Sequence, residues 1–230
     1  MLYYYRILLR FNLSLHLNPY CGIVTYMLKL YEKYHISRER TLIGLFREIN
    51  KHFNPKRILY PGSFVHITPS LIFSNVTYID SVKGVNKFFE DPEVNEYIIN
   101  NKEYSEKTNL KFYHQDYYEE IPERLGSYDY VISLYGGFIG QAVKKYLIKG
   151  GILVCNDSHG DASMASKDPD YKLIAVYDEI SDEDYSISYT DLDEYLIPKK
   201  RKNVSKKEMQ KIGRGIVYTR SPTGYIFRKK

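Results

Sequence analysis

The chain has 230 residues, 43% apolar and 27% charged, with 25 tyrosines and no tryptophan, enough for one domain of ordinary size with a real core. The total charge is +5, but from Lys199 onward there are twelve Lys/Arg and one acid, Glu208, a local +11 that leaves −6 elsewhere. Only the C-terminal region therefore has the charge to meet an anionic partner. The two cysteines, Cys21 and Cys155, are too few for a disulfide or metal framework, and they fit a reducing, cytoplasmic setting. The tyrosine excess reads as genomic bias.

Residues 1–26 carry Arg6 and Arg10 before an uncharged stretch, Phe11 to Leu28. Asn12, His16, Asn18, Pro19 and Gly22 make that stretch too polar for a spanning helix, and no small-residue cleavage site follows it. No membrane association is expected. Ser37 is a candidate helix N-cap, and Leu42, Leu45, Phe46, Ile49 and Phe53 recur at helical spacing, so a helix is expected over 38–53. "RILYPG" then reads as a buried strand stopped by Pro-Gly, and Thr68-Pro69 opens a short helix. Further strands are expected at 75–81, 110–116, 128–134, 152–157 and 171–180, with helical regions at 83–102 and 137–148. In the last of these, Gly150-Gly151 marks the break before the strand. Residues 215–230 read as a hairpin with its turn at Ser221–Gly224.

Strands and helices alternate, and several strands are apolar without a period of two. The expected fold is α/β: a doubly wound, Rossmann-like, mostly parallel sheet with helices on both faces and a C-terminal antiparallel hairpin. Residues 1–36 form an N-terminal extension, 37–180 the core, and 181–230 an acidic and then basic segment completing the same domain. In such sheets ligands sit beyond the carboxyl ends of the strands. Those ends carry Pro61-Gly62-Ser63 and then His66; Asp80; Gln115-Asp116; Leu134-Tyr135-Gly136-Gly137; and Asn156-Asp157-Ser158-His159. A carboxylate at Asp80 can accept two hydrogen bonds from a ribose diol, or it can cap the next helix. Asp116 can take an adenine amine beside the flat face of Tyr117, or it can cap a turn. Gly62 lets a ligand approach the backbone, and the helix from Pro69 turns N–H groups toward negative charge. His66 is a base, a substrate contact or a satisfied polar group. Asn156, Asp157, His159 and Asp161 form the densest polar cluster, read as substrate-facing rather than as a metal site. Cys155 is read as a buried hydrophobe.

The succession "ILYPG", "VTYID", "FYHQD", "YDYVISLYGG", "KKYLIKGGILVCND" resembles the class I S-adenosylmethionine-dependent methyltransferases over about residues 40–180. The resemblance implies that Gly62 lines the methionine part of the cofactor, Asp80 holds the ribose, Asp116 flanks the adenine and Tyr135 lies near the transferring methyl group. The candidate cofactor-binding residues are then Pro61, Gly62, Ser63, Asp80, Ser81, Asp116, Tyr117, Leu134 and Tyr135. The candidate catalytic residues are His66, Tyr135, Asp157 and His159. The chain departs from the family at the glycine loop. Tyr60 stands at the acidic place, and Phe64 and His66 stand where further glycines would be. The implied function is methyl transfer from S-adenosylmethionine to a small molecule. Two alternatives stay open: a non-catalytic binding or regulatory protein that has lost the cofactor, and an RNA-directed methyltransferase or RNA binder using the basic residues 199–230.

Overall fold

The computed structural model describes residues 27–134, 136–200 and 204–230. Strands β1 (Ile58–Pro61), β2 (Asn75–Ile79), β3 (Asn109–Tyr113), β4 (Tyr128–Ser133) and β5 (Leu147–Cys155) are parallel, β1 pairing with β2 and β4, β2 with β3, and β4 with β5. β6 (Tyr171–Glu179) and β7 (Tyr185–Ser188) form an antiparallel hairpin, and β8 (Gly224–Lys229) runs antiparallel between β5 and β6. The eight strands lie in the order β3-β2-β1-β4-β5-β8-β6-β7. The antiparallel part of the sheet is thus β6, β7 and β8. Residues 215–219 do not pair with β8; there Tyr218 bridges to Pro198 instead.

Strand side chains alternate between two buried layers because the pleat sends successive residues to opposite faces. Ile58, Tyr60, Ile152 and Val154 join one layer with α1 (Leu28–Tyr34), α2 (Ile43–Phe53), α3 (Pro69–Ile72), α4 (Val85–Glu90) and α5 (Pro92–Asn101). Leu59, Leu153 and Cys155 join the other with α6 (Ile139–Ala142), α7 (Asp161–Ser166) and α8 (Lys206–Ile212). Both faces of the sheet are therefore covered, which is why the strands read as apolar runs. Tyr31 of α1 lies in the core and its hydroxyl meets that of Thr68 at 2.7 Å, so the packed body reaches upstream of residue 37. No described helix is long and apolar enough to cross a membrane.

Several local expectations need correction. The first long helix starts at Ile43, not at residue 38; Ser37 falls in a 3₁₀ turn, Ile36–Arg38. The cap comes from far along the chain: the Leu42 N–H donates to Asp182 Oδ1 at 2.7 Å. The region 83–102 is two helices, split where Asp91 caps a new start with Pro92 in its first position. The expected helix 137–148 is one α-turn and a 3₁₀ turn, Lys144–Tyr146. β5 begins at Leu147 and contains Gly150-Gly151. Tyr128 pairs with Leu147 but Tyr130 with Ile152, so the extra residues bulge out, and Gly150 takes the turn at φ +82°.

Candidate functional site

β1 and β2 bring their ends together. The Gly62 N–H donates to the Ile79 carbonyl at 2.7 Å, which places Asp80 beside the glycine turn. Gly62 sits at φ +68°, a conformation that favours glycine. Asp80 is buried; its Oδ2 accepts the Phe64 N–H at 2.7 Å and its Oδ1 the Val82 N–H at 2.8 Å. Each oxygen keeps one lone pair. Tyr117 closes in from β3: its Cε1 lies 3.9 Å from where a Gly62 Cβ would stand. The tyrosine hydroxyl is held un-ionised above its ordinary range, first by burial and to a lesser degree by carboxylates that include Asp80. Gly62, Asp80 and Tyr117 therefore share one corner.

The notch at that corner holds a side chain. Ile139 Cδ1 is 3.0 Å from the place of a Gly62 Cβ and 2.0 Å from that of a Gly136 Cβ, so two glycines make room for one isoleucine. Phe64 does not fill the notch. It adopts φ +47° and packs edge-on against Tyr34 at 5.2 Å.

The other sequence candidates fall in different surroundings. Pro61 ends β1 and is buried, as is Ser63, whereas Ser81 is exposed. Asp116 is exposed and its Oδ1 accepts the Tyr118 N–H at 2.9 Å, a turn-capping bond. His66 is 2% exposed. Its Nε2 donates to the Thr41 carbonyl at 2.9 Å and its Nδ1 accepts from the Tyr60 hydroxyl at 2.9 Å. The His35 ring stacks on it at 4.2 Å. Burial, and then His35, hold His66 neutral, well below its ordinary pKa. With both nitrogens engaged inside the core, His66 has none for a substrate, and the catalytic expectation for it is withdrawn. Tyr60 and His66, two of the three departures from the glycine loop that the resemblance implied, are partners of one another. The helix opening at Pro69 is a four-residue turn with every residue buried, and the N–H groups of Ser70 and Leu71 are spent on Ile67 and Thr68, so it turns nothing toward an anion. Tyr135 and Cys21 lie outside the described residues.

The loop after β5 divides. His159 is exposed, with Nδ1 3.0 Å from the Ser158 hydroxyl. Asp157 turns inward: Oδ1 accepts the Ser163 N–H and Oδ2 the Ser163 hydroxyl, both at 2.8 Å. Burial raises its pKa against those bonds. Asp161 is 1% exposed and reaches the Ser133 hydroxyl and the Gly140 N–H, the latter at 2.8 Å. Beside Asp157 a hollow of about 400 Å³ opens at the carboxyl ends of β4 and β5, with Leu134, Tyr177, Tyr218 and Tyr225 in its wall. Sequence reasoning missed the tyrosines because they come from β6, β8 and a loop, each far from the β5 turn. Among the described residues, no group of three or more His, Cys, Asp or Glu side chains is placed to hold a metal. Cys155 is a buried free thiol. Several basic-tail residues already have partners within the chain: Lys206 with Asp168 at 3.0 Å, and Arg220 with Glu194 at 3.0 Å.

The parallel order β3-β2-β1-β4-β5 agrees with the mostly parallel α/β sheet expected from the sequence, and the wedge of antiparallel β8 between β5 and β6 was not foreseen. The fold is a Rossmann-like α/β sheet, mostly parallel, with helices on both faces. No protein-family model matches the sequence, and no curated protein matches it. Solved structures similar to this one include a methyltransferase from Geobacter sulfurreducens, 11% identical with a TM-score of 0.45, covering 69% of this chain and 87% of that one. Another is the N-methyltransferase NodS from Bradyrhizobium japonicum in complex with S-adenosylhomocysteine, 14% identical with a TM-score of 0.40, covering 60% of this chain and 70% of that one.

Proposed function

We propose that the chain is an S-adenosylmethionine-dependent methyltransferase acting on a small molecule. The observation that carries this reading is the corner where Gly62 and Asp80, from adjacent parallel strands, meet Tyr117. Asp80 has the spare lone pairs to accept a ribose diol, fixed in direction by two main-chain N–H groups. Tyr117 offers a flat face for a base, and Gly62 and Gly136 leave a main-chain cradle that a Cβ would fill. The bound cofactor would supply an electrophilic sulfonium methyl group. The protein's part is alignment, with the acceptor held in the hollow beyond Leu134 and the cofactor in the cradle, so that the displacement runs in line. For that, the Ile139 side chain must swing off Gly62.

Ile139 in the cradle also favours a second reading, a binding or regulatory protein on the same fold that no longer takes the cofactor. Titration calorimetry with S-adenosylhomocysteine separates the two. The methyltransferase reading expects binding by the natural chain, tighter binding by Ile139→Ala, and none by Asp80→Asn, with thermal melts confirming that each variant is folded. Absence of heat from both the natural chain and Ile139→Ala at millimolar ligand overturns it in favour of the second.

A further inference from the structure

The hollow between α2, the β5 turn and β8 has a composition that selects a ligand. Aliphatic and tyrosyl side chains make most of the wall, and the one charged side chain among its described lining residues is Asp157; no Lys or Arg lines it. Asp157 is rigidly framed. Ser163 donates to both of its oxygens, and the Ser163 hydroxyl in turn accepts the Ile216 N–H at 2.7 Å. Each Asp157 oxygen retains one lone pair. In the same wall, Tyr225 is 1% exposed and its hydroxyl has no hydrogen-bond partner. A buried phenol without a partner is costly, and a ligand's polar group would satisfy it.

We propose that this hollow binds a small arylalkyl amine, the ammonium group held by Asp157 and the ring among Tyr177, Tyr218 and Tyr225. A half-buried carboxylate with no ion-pair partner among the described residues favours a cation and repels an anion. Tyrosine faces add attraction for the same cation. The volume of about 400 Å³ suits a single-ring molecule with a short side chain. As the identity of a methyl acceptor this rests on the methyltransferase reading; as a binding site it stands on the hollow alone.

The test uses three ligands that differ only in their terminal group, measured by calorimetry at neutral pH with no cofactor present: tyramine, tyrosol and 4-hydroxyphenylacetate. Tyramine is expected to bind at least tenfold more tightly than tyrosol, and the carboxylate not at all. Asp157→Asn is expected to bring tyramine and tyrosol to equal affinity, a loss of preference that a merely unfolded variant would not give. Ser221→Trp, placed at the exposed rim, leaves Asp157 untouched and is expected to block all ligands while the thermal melt stays unchanged. No tyramine binding, equal binding of the carboxylate, a preference that survives Asp157→Asn, or full binding by a folded Ser221→Trp variant overturns the proposal. Because no cofactor enters, a failed cofactor titration leaves this result standing, and the reverse also holds.

Discussion

Asp161 offers a quantitative test of the architecture behind β4. One of its oxygens accepts from Ser133 and Gly140, the other has no partner, and the residue is 1% exposed. Burial dominates: its pKa rises from an ordinary 3.8 to about 6, with the Ser133 and Gly140 bonds opposing and Asp157 adding to the rise. A carboxyl group with a raised folded pKa binds its proton more tightly in the native state. Stability is therefore greatest below about pH 4, falls as pH rises through 6, and levels off above. At about 1.4 kcal/mol per tenfold, the gap amounts to about 3 kcal/mol. Asp161→Asn keeps the shape and cannot ionise. Its stability relative to the natural chain should rise by about 3 kcal/mol between pH 4 and pH 7. Urea unfolding of both chains at half-unit pH steps measures the difference, in which all other titrating groups cancel. A difference that stays flat across the range would show that Asp161 titrates as an ordinary carboxylate, and the closed setting described for it would be wrong.

Asp168 should behave in the opposite sense. Its pKa is lowered to about 2 by Lys144 and Lys206 despite burial. Asp168→Ala is expected to cost about 3 kcal/mol near neutral pH, because it removes the mostly buried carboxylate that Lys144 and Lys206 share and leaves Lys144 only Asp170. That cost should fade as the pH falls from about 4 toward 2; a cost that does not change with pH in urea unfolding would refute the ion-pair account. Gly44 lies in α2 with the Glu183 carbonyl oxygen 2.2 Å from where a Cβ would stand. Gly44→Ala, which in an open helix gains about 1 kcal/mol, should here lose at least about 3 kcal/mol. A raised melting temperature would show that the turn at 182–184 does not press on the helix.

The parallel half of the sheet was legible because most of its strands are short apolar runs closed by a turn signal; the exposed edge strand β3 is the exception. The Gly62–Asp80 corner was legible because both residues end neighbouring strands. What escaped was whatever depends on contact across the chain. Asp182 caps α2 from 140 residues away, and nothing near Ser37 announces it. The pair Gly150-Gly151 carried a helix-breaking signal, yet a wide bulge within a strand uses the same residues. Tyr60 and His66 looked like two separate losses from a glycine loop, and only coordinates show them as one hydrogen-bonded pair. Ile139 had the spacing of an inward helix residue. Its seat on two glycines was foreshadowed only by Gly136, a residue with no stated task. The tyrosines, set aside as compositional bias, wall the hollow.

β8 has a consequence for how the chain is made. It is the wedge that joins β6 and β7 to the rest of the sheet, and it leaves the ribosome after both. Until residues 224–229 emerge, the β6–β7 hairpin has no neighbour to its side and β5 presents a bare hydrogen-bonding edge. Two open edges waiting for one late strand invite pairing with other nascent copies.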